Sequence, residues 1–102
     1  MTTKDVSALA KLMAPRSVAV VGASADPLRI GGRPISYMLA HGFKGEIYPV
    51  NPNRAEIQGL RAYRSIADLP SAPDVAIVAV AAASVRQAID ELGQRGTGAA
   101  IV

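Results

Sequence analysis

The chain has 102 residues, a formal net charge of +3, no cysteine and a single histidine. This length holds one domain, and the lack of cysteine excludes a disulfide framework, a thiolate nucleophile and a thiolate metal site. Half of the residues are hydrophobic, yet no tract is long enough to span a bilayer and the start lacks a secretory-signal pattern, so we expect a cytoplasmic protein with no membrane partner. The positive charge is mild and scattered, which argues against a nucleic-acid partner.

The first half of the chain alternates helical and extended patterns. Apolar residues at helical spacing predict a helix over residues 4–13 that Pro15 ends. The apolar, mostly β-branched run Ser17–Val21 predicts a short buried strand. A helix is then expected from about Gly32 to Ala40, and a second strand over 46–50, where Pro49 indicates a sheet edge or a bulge.

The second half continues the alternation. It predicts an extended piece over 61–63, a one-turn helix with a capping box of Ser65 and Asp68, and a central parallel strand over 75–80. A further helix is expected from Ser84 to Gly93 or Gly96, followed by a strand over 99–102. The pattern predicts an α/β domain over residues 1–102, with a Rossmann-like parallel sheet and helices on both faces. Because the apolar last strand lacks a covering element, we expect the sheet to be truncated at its C-terminal side and the chain to be an N-terminal fragment of a longer enzyme.

The loop from Gly22 to Gly32 is interpreted as a phosphate-binding loop. Small residues there let backbone N–H groups approach a ligand, and a loop between a parallel strand and a helix attracts anions. The alternative is a tight crossover loop without a ligand. A dinucleotide fingerprint is not present, because Ser24 and Pro27 occupy two of its glycine positions and Asn51 stands where it places an acidic residue. A Walker A motif is also missing.

The candidate site is the rim formed by the carboxyl ends of three predicted strands. These ends bring together residues 22–24, 50–54 and 80–82. His41 is expected to have a structural or surface role, because no carboxylate or cysteine near it in sequence would recruit it for chemistry. No metal site is expected.

A set of short motifs along the chain resembles the CoA-binding domain of NDP-forming acyl-CoA synthetases, such as the ADP-forming acetate-CoA ligases and the α subunit of succinyl-CoA synthetase. The resemblance covers the chain from about Leu9 onward. The matching residues are Ser17-Val-Ala-Val-Val-Gly-Ala-Ser24, Pro27, Gly31, Gly42-Phe-Lys-Gly45, Ile47-Tyr-Pro-Val-Asn-Pro52, Glu56-Ile-Gln-Gly59, Tyr63, Asp68-Leu-Pro70 and Pro73-Asp74.

The resemblance implies that the domain holds coenzyme A. Carried over by position, it assigns CoA contacts to Gly22, Ala23, Ser24, Arg29, Ile30, Gly31, Val50, Asn51, Pro52, Asn53, Arg54, Val80, Ala81 and Ala82. Two positions depart from the family pattern. Asn53-Arg54 stands where the family often has a lysine, and Ala81 stands where many relatives have proline.

The resemblance also implies the chemistry of a parent acid–thiol ligase. In this family the reaction uses ATP and Mg²⁺ through a phosphohistidine domain and an ATP-grasp domain, neither of which is in this sequence, so we expect the chain alone to bind CoA without turnover. The alternative is a non-catalytic CoA-binding module or sensor, for example one fused to a protein acyltransferase. A nucleotide-dependent oxidoreductase is the least favoured function, because the dinucleotide fingerprint fails.

Overall fold

A computed structural model describes residues 15–102, so the helix predicted over 4–13 lies outside the described residues. The elements in chain order are β1 (Ser17–Val21), α1 (Arg33–Ala40), β2 (Glu46–Val50), β3 (Glu56–Ile57), β4 (Leu60–Arg61), a 3-10 turn (Ile66–Asp68), β5 (Val75–Val78), α2 (Ala82–Arg95) and β6 (Ala99–Ile101). No helix in the described part of the chain is both long enough and apolar enough to cross a membrane.

Four parallel strands form the main sheet in the order β2-β1-β5-β6. The Rossmann-like α/β prediction is confirmed, and β2 with its Pro49 is an edge strand, as predicted. Val21, the last residue of β1, pairs with Val50 on one side and with Val78 on the other. The carboxyl ends of three strands are therefore level, and they form one rim.

The two helices cover opposite faces of this sheet. Alternate residues of β1 point to opposite faces, so Ala19 and Val21 pack in a cluster with Ala88 and Leu92 of α2. Val20 packs instead with Ile35 of α1 and with Ile57 and Ala62 of the hairpin region. The predicted arrangement of helices on both faces is confirmed for the described residues, and β1 is buried along its full length.

Several predicted boundaries are wrong. The strand expected over 75–80 ends at Val78, because the chain then turns toward α2, although Ala79 still donates a hydrogen bond to the carbonyl oxygen of Val21 (2.8 Å). Helix α2 begins at Ala82 rather than Ser84, and it ends as predicted near Gly96, which has a positive φ of 86°. The last strand stops at Ile101.

The segment between β2 and β5 also differs from the prediction. Residues 56–61 form a small antiparallel hairpin, and Tyr63 forms a parallel bridge with Val50. The capping box is wrong, since Ser65 makes no side-chain cap at the 3-10 turn; instead its carbonyl oxygen accepts a hydrogen bond from the N–H of Asp68 (3.2 Å). A second backbone bond runs from the N–H of Leu69 to the carbonyl oxygen of Ile66 (3.2 Å).

Candidate functional site

The site begins at Gly22, the first residue after β1. Its φ of 85° lies in the left-handed region, which only glycine adopts without strain. A Cβ atom at this position would also collide with the carbonyl oxygen of Ala79, which follows β5. Because β1 lies between β2 and β5 in the sheet, Gly22 stands where the strand order reverses, the place where parallel α/β sheets bind ligands.

The loop from Ser24 to Gly32 folds back on itself. The carboxylate of Asp26 accepts a hydrogen bond from the N–H of Leu28 (2.9 Å), and the carbonyl oxygen of Asp26 accepts one from the N–H of Arg29 (3.1 Å). Cβ atoms on Gly31 and Gly32 would collide with the carbonyl oxygens of Gly22 and Asp26 respectively. These two glycines therefore allow close backbone packing within the loop.

The N–H groups at the start of the loop are already hydrogen-bonded inside the protein. Those of Gly22 and Ala23 both donate to the carbonyl oxygen of Val50 (3.1 Å each), and that of Ser24 donates to the carbonyl oxygen of Gly31 (3.2 Å). That these N–H groups approach a ligand stays a prediction, and in this structure each of them already has a carbonyl partner. The bonds of Gly22 and Ala23 join the end of β1 to the end of β2, and the bond of Ser24 closes the loop, so an anion here would need other donors.

Asn51, at the carboxyl end of β2, uses both ends of its side-chain amide to hold the rim. Its Nδ2 donates to the carbonyl oxygen of Ala23 (2.9 Å), and its Oδ1 accepts from the N–H of Asn53 (2.8 Å). Its own N–H donates to the carbonyl oxygen of Tyr63 (2.8 Å). Asn51 therefore shapes the turn after β2 and ties it to the first loop.

Three cavities follow one another along the rim. The loop cavity, of about 460 Å³, lies between the first loop and the end of β5. It is lined by Gly22, Ser24, Leu28, Arg29, Ile30, Gly31 and Ala79. The side chains of Leu28 and Ile30 at its mouth are each 76% exposed, and the guanidinium of Arg29 lies 3.8 Å from Asp26 on the surface. This cavity combines an open apolar edge with one cation.

The second cavity is an apolar groove of about 220 Å³ between the strand ends and α2. Its floor is formed by Val21, Val50, Ile66, Val80 and Ala88, and its polar edge by Arg64, Ser65, Ser84, Gln87 and Glu91. Gly22 also lines it, so the groove adjoins the loop cavity. A mostly apolar groove with polar groups among its lining residues suits an aromatic ring system that carries hydrogen-bonding groups.

The third cavity, of about 530 Å³, contains three arginines. Arg54, Arg61 and Arg64 line it, and Arg64 and Pro52 are shared with the apolar groove. All three arginines are exposed, and within residues 15–102 none has a carboxylate within ion-pair distance. Arg61 lies over the ring of Tyr63, 5.4 Å from its centroid. Three guanidinium groups without counter-charges form a receptive site for a phosphate, which arginine binds with paired hydrogen bonds.

Most residues assigned from the resemblance line these cavities, and four of them do not: Ala23, Asn51, Ala81 and Ala82. Ala23 is buried among Val20 and Ile35, so its side chain belongs to the core. Ala81 and Ala82 are exposed at the start of α2 and line none of the three cavities. His41 caps the end of α1 with its ring 4.0 Å from that of Tyr37, and the described residues contain no cluster of metal-binding side chains.

The sequence analysis missed several groove residues that a helical pattern could have indicated. Ser84, Gln87, Ala88 and Glu91 recur at intervals of three and four residues, so they share the face of α2 that borders the groove. Arg61 and Arg64 had no such signal. They reach the rim because of the hairpin and because Tyr63 pairs with Val50.

Comparison with known proteins identifies the family to which this chain belongs. Residues 16–102 match the model of a family described as CoA binding domain. The chain is 42% identical over 94 residues to ADP-forming acetate–CoA ligase II of Archaeoglobus fulgidus, covering 92% of this chain and 14% of that protein. Across the curated relatives it matches, the chain spans between 12% and 20% of their length.

Solved structures show the same likeness. The dinucleotide-forming acetyl-coenzyme A synthetase 1 of Ca. Korarchaeum cryptofilum superposes with a TM-score of 0.82 at 42% identity, covering 87% of this chain and 19% of that one. A conserved hypothetical protein from Pyrococcus furiosus gives a TM-score of 0.70 at 38% identity, covering 79% of this chain and 68% of that one. The chain therefore belongs to the CoA-binding domain family, and the relatives it matches include ADP-forming acetate–CoA ligases.

Proposed function

We propose that this chain binds coenzyme A along the rim, with one part of the ligand in each of the three cavities. The observation that carries the proposal is that the three cavities adjoin one another, the loop cavity and the apolar groove at Gly22, and the groove and the arginine cavity at Pro52 and Arg64. CoA has parts that suit these cavities: a thiol-bearing pantetheine arm joined through a diphosphate to a ribose, from which an adenine and a 3′-phosphate both branch.

The arginine cavity supports binding of the 3′-phosphate. Arg54 leaves the turn after β2, where many family members have a lysine, and Arg61 and Arg64 face the same cavity. A dianionic phosphate there would offset the mutual repulsion of three guanidinium groups. Dephospho-CoA lacks this phosphate, so the proposal predicts weaker binding of that ligand.

The apolar groove supports binding of the adenine. Val50 and Val80 provide apolar contacts on its floor, and Ser84 and Gln87 provide hydrogen-bonding groups along its edge. The loop cavity would then receive the diphosphate and the pantetheine arm, with Arg29 as its cation and the exposed Leu28 and Ile30 against the methylene groups. The N–H groups of Gly22, Ala23 and Ser24 would shape this cavity without contacting the ligand.

Within a whole ligase, the domain would present the CoA thiol to an activated acyl group. Positioning of a nucleophile can lower a barrier by several kcal/mol, up to about 7 to 11 kcal/mol for well-oriented groups. The phosphohistidine and ATP-grasp domains would supply the acyl-phosphate chemistry together with ATP and Mg²⁺. The chain by itself would bind CoA and would not turn it over.

Calorimetric titration of the chain with CoA, dephospho-CoA and NAD tests the binding proposal, after circular dichroism has shown a folded sample. We expect CoA to bind more tightly than dephospho-CoA, and NAD to bind weakest because Asn51 replaces the acidic ribose ligand of NAD-binding folds. Tighter binding of NAD than of CoA would overturn the proposal.

A non-catalytic CoA-binding module is the second candidate. The observation in its favour is that the same fold occurs in a chain of which this one spans 68%, whereas it spans 19% of the acetyl-coenzyme A synthetase. Reading the gene beyond the codon for Val102 separates the two. Phosphohistidine and ATP-grasp domains would support the ligase, and an acyltransferase domain or a stop codon would support the module.

A further inference from the structure

The hairpin turn between β3 and β4 has an unusual residue at its first central position. Gln58 and Gly59 both have positive φ, 52° and 81°, as a two-residue type I′ turn requires. Such turns favour Asn-Gly, because asparagine tolerates the left-handed region better than longer side chains do. Within residues 15–102, Gln58 is the one non-glycine residue with a positive φ.

The side chain of Gln58 joins the two ends of the first loop. Its Nε2 donates one hydrogen bond to the carbonyl oxygen of Ser24 (3.1 Å) and another to that of Gly32 (3.0 Å). Both hydrogens of the amide group are therefore used. Between Ser24 and Gly32 the chain carries Leu28, Arg29 and Ile30 to the mouth of the loop cavity.

The hairpin gives this link a fixed base. Ile57, directly before Gln58, is fully buried and packs in one cluster with Val20 of β1 and Ile35 of α1. A side chain anchored next to such a residue has little freedom to move with the loop. Gln58 itself lines none of the three cavities, so it reaches the site only through the loop.

The length and the chemistry of the side chain both matter for this link. Asparagine would suit the turn better, but its side chain is one methylene shorter. Glutamate would have the length, but an ionised carboxylate accepts hydrogen bonds and donates none, so it would face two carbonyl oxygens without a proton. Among the side chains, glutamine combines this reach with two donors on one planar group.

We propose that Gln58 is a positioning residue that holds the loop of residues 24–32 in the shape that receives CoA. This inference rests on the proposed function of the rim. Glutamine fits this turn less well than asparagine would, but its side chain bonds to both ends of the loop.

The test compares Gln58→Asn with the wild-type chain and with the control Gln94→Asn, which removes the same methylene from an exposed glutamine of α2. Three quantities are measured: the thermal midpoint, amide hydrogen exchange, and CoA affinity by calorimetry. In Gln58→Asn the thermal midpoint should change little, because the better turn residue offsets the lost hydrogen bonds. Exchange of the Ser24 and Gly32 N–H groups should accelerate about fivefold or more, and CoA should bind about five- to tenfold more weakly, as expected for lost hydrogen bonds. The control should match the wild type.

The outcomes separate this inference from the proposed function. If Gln58 only forms the turn, Gln58→Asn should keep the wild-type amide exchange and CoA affinity. That result would overturn the inference. Faster exchange spread equally over the loop and the β1 amides would also overturn it, because it would indicate general destabilisation. If the wild-type chain fails to bind CoA, the proposed function fails, and the exchange of the Ser24 and Gly32 N–H groups still decides whether Gln58 holds the loop. Gln58→Glu provides a second variant, in which the loop should loosen at least as much.

Discussion

The side-chain amide of Asn51 donates a hydrogen bond to the carbonyl oxygen of Ala23 across a distance of 2.9 Å. This bond links the turn after β2 to the loop after β1, the two segments that border the rim from neighbouring strands. It also gives Asn51 a task different from that of the acidic residue at this place in NAD-binding folds, which contacts a ribose. Asn51 therefore holds backbone at the rim, and its replacement tests whether this affects ligand binding.

Replacing Asn51 with aspartate should weaken CoA binding by about 1 to 3 kcal/mol, the cost of leaving a hydrogen-bonding group without its partner. The new carboxylate cannot donate to Ala23, and it brings a negative charge to a site for an anionic ligand. Calorimetry with CoA measures the loss. Asn53→Asp is the matched control, since it adds the same charge two residues away and keeps the donor of Asn51. Equal losses in the two variants would show that charge alone matters.

Gly22→Ala should destabilise the fold more than Gly42→Ala does. Both glycines have positive φ, so each substitution brings left-handed strain of about 1 to 2 kcal/mol. A Cβ on Gly42 meets nothing within 4 Å, whereas one on Gly22 collides with the carbonyl oxygen of Ala79. We expect this collision to add about 1 to 3 kcal/mol, as forced overpacking does.

Urea denaturation of the two glycine variants measures this difference directly. Similar midpoints would mean that the strands move apart at the rim without cost, which would contradict the close packing of Gly22 against the end of β5. Below the denaturation range, the folded fraction of Gly22→Ala should also bind CoA more weakly, because the added methyl group displaces a wall shared by the loop cavity and the apolar groove.

Patterns within single elements predicted much of the fold. The run Ser17–Val21 is apolar on both faces because both are covered, and Pro49 marks the edge strand because it cannot donate to a ladder. The hairpin of residues 56–61 was not predicted. Each of its strands is two residues long, too short for a period to appear, and it forms because Ile57 and Ala62 are buried against α1 and β1.

The candidate site was predictable as a place but not in its hydrogen bonding. Glycine after a buried parallel strand indicated the rim. Whether the N–H groups of Gly22 and Ala23 are available to a ligand depends instead on the carbonyl oxygen of Val50. The register between β1 and β2 sets the position of that oxygen. The arginine cavity is likewise a product of long-range pairing, because Tyr63 joins Val50 and brings Arg64 with it.

Arg95→Ala should destabilise the fold by about 1 to 3 kcal/mol, the range for hydrogen bonds to a charged group. The guanidinium of Arg95 donates to the carbonyl oxygens of Ala67 (2.9 Å) and Leu69 (2.6 Å), and so it holds the 3-10 turn against α2. Lysine carries the charge without the planar fork and should recover only part of the loss. Arg86→Ala, an exposed arginine of the same helix, is the control for urea denaturation. A loss no larger than that of the control would contradict the role of this pair of bonds.

Arg54→Ala should weaken CoA binding by about 1 to 3 kcal/mol and dephospho-CoA binding by much less. The reason is that Arg54 lines the arginine cavity proposed for the 3′-phosphate, the group that dephospho-CoA lacks. Arg54 is exposed, so solvent screening favours the lower end of this range. Calorimetric titration of both ligands into wild type and variant measures the two losses.

Two further variants make this comparison specific for Arg54. Arg54→Lys keeps a positive charge at this position, and it should keep most of the preference for CoA over dephospho-CoA, since a lysine still binds phosphate as a point charge. Arg86→Ala removes an exposed arginine that lines none of the three cavities, and it should leave both affinities unchanged. If Arg54→Ala lowers the affinity for both ligands equally, the guanidinium acts on a part of CoA that they share, such as the diphosphate. If it lowers neither, Arg61 and Arg64 suffice for the 3′-phosphate and Arg54 is an ordinary surface residue.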